Sequence, residues 1–577
     1  MIAHCSRPAR LQETAKGCTD VGGSGRRCLW LYKTTLVVAI GSTLANNVNG
    51  QTVPGAGLPG RLERDTQREP QPARRDGAVS IDRARFPEQV PPGAAQLRLT
   101  LREVVLSGNA AVQTAELAPL WQDQIGREMS LADGFAIAAR ISAAYRERGF
   151  VLSQAVVPQQ DLDVAGAKLR IQVLEGFIDK RTVTGAPGSS LAAYLAPIGA
   201  ERPATLATLE RQLLLVNELP GVQARANLQA GSVPNASDLE LVVQRTPWSG
   251  SLALHNRIAP SQGDVRIDAD ATRNGLFGDF DRHNLRLSSS GDKRLMQLSY
   301  GVEVPLGSAG WKAQAGLSTS KSEPEVAVIS LDTRSSNVYA GLSYPVLRSR
   351  QTNLGVRAQL AGYNNSSDTL GLRTSEDRIR ALRLGFSADH TDPLGGVNLL
   401  DVEFSQGLSG LGASEADGPS LNGAKPDFSR ASIYAARLQN LGGAFSLLLA
   451  GSSQTSGDKL PTAEQLGLGG ETFLRGYDPS EAIGEQGWAV KLELRFNADV
   501  PMASTTWYAF ADTGSVTRQQ GGGAELKTSL SSAGAGVRFT GPAGVRGYLE
   551  VAKPLGDKVA SKDSSSARVF AGFGIDF

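Results

Sequence analysis

The chain has 577 residues, with 59 Lys+Arg against 57 Asp+Glu, a near-balance that offers no basic face to nucleic acid. Glycine is abundant at 65 residues and aromatics make up only 6%, the texture of many short strands joined by turns. No run approaches the ~18 apolar residues of a spanning helix, so a helical membrane protein is excluded.

Arg26, Arg27 and Lys33 precede an apolar stretch, 34–45, of about signal-peptide length. Small residues follow, and cleavage is expected after Ala45 or after Gly50. Residues 1–50 therefore read as a signal peptide. The part before Arg26 is longer than a usual leader, so either the true start lies downstream or the leader is an extended one. Cys5, Cys18 and Cys28 all precede the cleavage site. The mature chain is then expected to hold no disulfide and no thiolate metal site, which suits an oxidising periplasm.

Residues 51–95 are broken by Pro54, Pro59, Pro70, Pro72, Pro87, Pro91 and Pro92. They read as a partly extended linker, with room for a couple of helical turns at 62–68.

Two small mixed units follow, 96–176 and 177–246. In the first, Leu97, Leu99 and Leu101 alternate, and 115–124 reads as helix. Ser130 with Asp133 suggests a capping box, and Leu131, Ala138, Ile141 and Tyr145 recur at helical spacing until Gly149. Strands are predicted at 151–158 and 168–174. The second unit repeats the order: a strand at 178–184, a short helix at 191–195, a longer helix after Thr205, and strands at 222–228 and 239–245. Each is about 75 residues, near the lower limit for a lone core. The wording L-R-E-V-V-L-S-G-N at 101–109 and A-A-Y-R-E-R-G-F-V-L-S-Q-A-V-V-P at 143–158 resembles the first POTRA domain (polypeptide-transport-associated module) of the filamentous-haemagglutinin transporters. The resemblance implies a tandem of POTRA domains that receives an unfolded client at a sheet edge or groove.

From Trp248 onward convincing helices disappear. Sixteen alternating segments can be placed, beginning near Leu252, Asp268, Leu285, Leu295, Lys312, Asn337, Leu354, Ile379, Val397, Ala431, Phe445, Trp488, Trp507, Leu530, Val545 and Ala567. A spanning strand needs about 9–11 residues, so 247–577 accommodates 16 antiparallel strands with loops. In the clearest segment, Val490, Leu492, Leu494 and Phe496 face one way and Lys491, Glu493, Arg495 and Asn497 the other. A one-residue slip would put those charges into lipid. Open edges cannot sit in a bilayer, so the sheet is expected to close. The expected fold is α+β periplasmic domains followed by an all-β transmembrane barrel in contact with outer-membrane lipid. The last segment ends on Phe577, which resembles the signal read by barrel-assembly machinery.

One stretch, 460–487, is too long for a plain turn. It reads L-P-T-A-E-Q-L-G-L-G-G-E-T-F-L-R-G-Y and lies between the eleventh and twelfth segments. Leu474-Arg475-Gly476-Tyr477 resembles the [V/L]-R-G-Y signature of two-partner-secretion transporters. Phe510, Asp512 and Gly514 on the thirteenth segment resemble that family's F-x-D-x-G, and share one face by period two. The resemblance implies a loop folded into the barrel, Arg475 paired with Asp512, Gly476 turning tightly and Tyr477 packed on the wall. Glu493 and Arg495 face the same lumen and join the candidate network. Residues 51–68 stand where the family has a plug helix, although Pro59-Gly60 interrupts the pattern. The implied partner is a secreted exoprotein rich in β-structure.

No G-x-x-x-x-G-K-[ST], G-x-S-x-G or H-E-x-x-H occurs, and His4, His255, His283 and His390 are scattered. Neither a cofactor, a metal nor a catalytic group is therefore expected. The polar run 363–367 reads as a solvated loop tip. A barrel-assembly insertase, a passive porin and a lumen-active barrel enzyme remain as alternatives to a secretion pore.

Overall fold

The computed structural model describes residues 55–577 apart from 59, 63–68, 74–78, 82–89, 187–189, 327–328, 416–420, 521–522 and 562. The expected leader, 1–50, and nearly all of the helix expected at 62–68 lie outside the described residues.

The first unit is a four-stranded sheet in the order Glu128–Ser130, Arg98–Ser107, Ala167–Leu174, Gln154–Val156. Along Ala167–Leu174 buried and exposed residues alternate, so Leu169, Ile171 and Val173 face one side. Helix α1, Leu131–Glu147, lays Ile137, Ile141 and Tyr145 against them. Its start is set by the Ser130–Asp133 capping box, closed in both directions. Two expectations narrow here. The stretch 115–124 is a single helical turn, Thr114–Leu117, followed by tighter 3-10 turns around Pro119. The strand expected at 151–158 is only Gln154–Val156, because Val151 and Leu152 turn towards the second unit.

That second unit is also four-stranded, in the order Val79–Ile81, Val222–Ala230, Ala236–Arg245, Phe177–Thr184. The short strand from the linker pairs parallel to its edge, Val79 opposite Ala226. Helices α2, Ser190–Ala200, and α3, Leu206–Asn217, cover one face. The core also takes Leu152 from the first unit and Phe280 from a periplasmic-side barrel turn.

The barrel is closed and has 16 strands. They are β1 Trp248–His255, β2 Arg266–Asn274, β3 Arg282–Ser290, β4 Leu295–Leu306, β5 Trp311–Ser322, β6 Ile329–Arg348, β7 Thr352–Thr369 and β8 Leu372–Thr391, then β9 Gly396–Gly407, β10 Ser429–Gly442, β11 Phe445–Thr455, β12 Gln486–Val500, β13 Ala503–Gln519, β14 Glu525–Thr540, β15 Val545–Pro554 and β16 Arg568–Asp576. Each expected segment falls on one of them. On β12, Leu492 is 46% exposed on the outer face while Glu493 is 2% exposed inside, an apolar-out, polar-in wall. The β16–β1 seam pairs five residues, Gly572–Asp576 against Ser251–His255. Phe577 extends it through two backbone bonds with Gly250, 2.7 and 2.9 Å.

The run 363–367 is not a loop tip. It lies within β7, with Tyr363, Asn365 and Ser367 buried inward. The sequence reading failed because a strand lining a polar lumen alternates without being apolar overall.

The second unit docks on the barrel's periplasmic turns. Tyr194 Oη donates to Gly307 O at 2.8 Å, Arg211 Nη2 donates to Pro345 O at 3.1 Å, and Glu218 receives both Arg348 and Lys312.

Candidate functional site: the inward loop and its lumen anchors

The connection from β11 to β12 turns into the barrel instead of away from it. Its two limbs pair as a small hairpin, Leu466–Leu468 against Ala482–Gly484. Beyond Gly469 and Gly470, at φ 108° and 105°, the tip crosses to the β12–β15 wall. Phe473, Leu474 and Tyr477 are buried there with Val516, Leu530 and Val559. Tyr477 Oη donates to Asp557 O at 3.0 Å.

Arg475 is 3% exposed, and its guanidinium does not seek Asp512 first. Nη1 donates to Glu493 Oε2 at 2.7 Å and to Glu550 Oε2 at 3.3 Å. The closest guanidinium approach to Asp512 is 3.7 Å, from Nε. Asp512 instead accepts the Arg475 backbone N–H at 3.1 Å and the Ser532 hydroxyl. Register explains this. On the wall Glu493 stands opposite Phe510, not Asp512. The guanidinium sits over the Phe510 ring, 3.4 Å from its centre, and so reaches Glu493. Asp512, one inward position higher, meets the loop backbone. Phe510 is therefore a platform and Asp512 a backbone cap.

Gly476 also differs from expectation. The left-handed turn residue is Leu474, at φ 59°. Gly476 is where the loop touches the wall, and a Cβ there would stand 2.9 Å from both Pro554 N and Ser532 Cβ. Gly514 on β13 is close-packed against the neighbouring strand instead, and a Cβ there would stand 2.7 Å from Trp488 O of β12.

Glu493 is the hub. Besides Arg475 it accepts Arg495 Nε at 2.8 Å and Arg538 Nη1 at 2.9 Å. Arg538, on β14, stacks on Tyr508 at 3.9 Å. Tyr508 Oη donates to Glu550 at 2.9 Å, and Arg257 Nη2 donates to the same carboxylate at 2.5 Å. Arg257 also reaches Gly470 O and Arg475 O, while Arg568 pairs with Asp478 and donates to Gly476 O. The guanidinium groups of Arg257 and Arg568 both lie over the Phe570 ring. Period two puts Tyr508 on the inward face with Phe510 and Asp512, but sequence reasoning gave it no role and missed Arg538, Glu550, Arg257 and Arg568. For Glu550 a signal existed: a charge between Leu549 and Val551 in a period-two segment must point inward. Several buried charges that satisfy one another are costly to break singly, because each leaves a partner unpaired.

The N-terminal segment shares the lumen. Gln262 Nε2 donates to Ala56 O at 2.8 Å, and the Gly60 N–H donates to Ser335 Oγ at 2.8 Å. Arg61, 1% exposed, donates from Nη1 to Gln465 O at 2.6 Å and from Nε to Ser480 Oγ at 3.1 Å. Further along, Glu69 pairs with Lys491 of β12, whose Nζ also donates to Thr472 O at 3.2 Å.

The profile of the haemolysin secretion/activation protein family ShlB/FhaC/HecB matches residues 235–539, more than half of the sequence. The chain belongs to that family. A second profile, the ShlB-type POTRA domain, matches residues 99–176, the first periplasmic sheet and its helix. Among curated relatives, the outer membrane transporter CdiB of Dickeya dadantii is 25% identical across 72% of this chain and 76% of its own length. The heme/hemopexin transporter protein HuxB of Haemophilus influenzae is 23% identical across 81% and 85%. The solved structure of CdiB from Escherichia coli superposes with a TM-score of 0.69 at 20% identity, covering 85% of this chain and 93% of that one, and so shares the fold.

Proposed function

We propose that this member of the ShlB/FhaC/HecB family is the outer-membrane pore of a two-partner secretion system, exporting a large β-rich exoprotein of the adhesin or haemolysin type. The barrel sits in the outer membrane and the two small units hang in the periplasm. The observation that carries the mechanism is the inward loop, held by buried charges to the wall of the channel it obstructs.

An unfolded client meets the periplasmic units first. It enters the lumen once the N-terminal segment and the loop give way. Arg475, Gly476 and Tyr477 hold the loop tip, with Phe510, Asp512, Glu493 and Glu550 as its wall. Loop displacement exchanges these contacts for water and client backbone, so the anchored state is recovered when the client has passed. No nucleotide motif is present to drive transport, and folding of the client outside the cell supplies direction. The chain acts as a conduit, with no reaction of its own.

The test is secretion. Co-expression with the exoprotein encoded beside it is expected to place that exoprotein in the medium. Arg475→Ala is expected to abolish this while the barrel still inserts. An insertase would instead change the folding of many other barrels, and undiminished secretion by Arg475→Ala would remove the loop from the mechanism.

A further inference from the structure

The loop is held at two separate stretches of the barrel wall, and the hold of its tip on β12–β15 is one of them. The second place is its stem. Glu464, 0% exposed, stands between two buried arginines, one on β8 and one on β10. Arg383 Nη2 of β8 donates to Oε1 at 2.6 Å, and Arg430 Nε of β10 lies 3.2 Å from Oε2. Gln454, at the end of β11, donates to the backbone oxygens of both Glu464, at 3.0 Å, and Glu485, at 3.1 Å, tying the two limbs together. Leu460 and Ala463 pack beside them on Tyr363, Ile379 and Phe428.

The N-terminal segment rests on this stem. Arg61 binds the backbone oxygens of Thr462 and Gln465, which bracket Glu464, and the hydroxyl of Ser480 on the returning limb. A Cβ on Gly60 would stand 2.7 Å from Ala463. The seat for Arg61 is thus made of loop, and there the Glu464 carboxylate ties the loop to β8 and β10, beside the Gln454 bonds to its backbone. We infer that Glu464 is a positioning residue for channel closure: by clamping the stem to Arg383 and Arg430 it fixes the seat that holds the N-terminal segment in the lumen, independently of the Arg475 anchor at the tip. Gly469 and Gly470 separate the two anchors, so either can release while the other holds.

The inference rests on the secretion-pore reading for its purpose, but its test needs no client. Purified full-length protein in planar bilayers reports the fraction of time spent in the open channel. Glu464→Gln is expected to raise that fraction about tenfold or more, the scale of losing one side of a buried pair. Arg61→Gln should raise it similarly. The two together should open the channel no further than the larger single change, because both undo one contact. Added to Arg475→Ala, Glu464→Gln should keep its full effect. Conductance unchanged by Glu464→Gln, or effects of Glu464→Gln and Arg61→Gln that simply multiply, would overturn the inference and leave the secretion reading intact. If Glu464→Gln fails to insert, the charge-balanced pair Arg383→Gln with Glu464→Gln takes its place. If that also fails to insert while Arg475→Ala inserts, Glu464 serves assembly alone and the inference falls.

Discussion

The periplasmic units and the barrel bury opposite things. In the first unit Leu101, Ile137, Ile141 and Ile171 close on one another and water takes the charged faces. In the barrel Leu492, Leu494 and Trp507 face outward, while Glu493, Asp512, Arg475 and Glu550 are sealed inside. A unit in water is held by apolar area removed from solvent. A barrel in lipid gains nothing further by turning leucines inward, so its interior is free for charge, and charge is what holds a loop that must later let go. Apolar packing in the units specifies a permanent shape. The ion network in the lumen specifies a removable one.

Four single substitutions, with two charge exchanges beside the first, probe that contrast from the largest effect to the smallest. Arg475→Ala leaves Glu493 and Glu550 each short of a cation, and is expected to weaken the loop's hold by about 3–5 kcal/mol. Protease sensitivity of the loop, with heat-modifiable mobility showing an intact barrel, measures this. The exchange Arg475→Asp with Asp512→Arg is expected not to restore the hold, since Asp512 serves a backbone N–H. Exchanging Arg475 with Glu493 should restore part of it. Ile141→Ala, in the first periplasmic core, should cost about 2–5 kcal/mol of local stability, seen as faster amide exchange along α1, with the barrel untouched. Leu492→Arg, on the lipid face one residue from the hub, should cost about 2–4 kcal/mol of barrel stability in lipid, read by denaturant unfolding. A small cost there would break the assignment of inside and outside. Ser130→Ala removes the cap of α1 and should cost about 1 kcal/mol, seen as fraying of its first turn by amide exchange.

Much of this is legible in the sequence. Period-two alternation is local, so Val490–Leu492–Leu494 announced a lipid face and Lys491–Glu493 a lumen without knowledge of any neighbour. The same logic placed sixteen segments and put Asp512 inward. It failed at 363–367, where a lumen-lining strand has too few apolar residues on either face to look like one. The cap of α1 was legible because Ser130 and Asp133 are three residues apart. The partners of Arg475 were not, because Glu493, Asp512 and Glu550 lie 18, 37 and 75 positions away.

The order of elements, the count of strands and the two faces of each were thus properties of the sequence alone, since each depends on residues within one strand or one turn, whereas the inward loop was legible there only through its resemblance to a family signature. The choice of Glu493 over Asp512, the stem clamp on Glu464, the place of Arg257 and Arg568 beside the loop and the seat of Arg61 belonged to the tertiary structure. They depend on which residues stand opposite one another once sixteen strands have closed, and register across a closed barrel is a property of the whole circle.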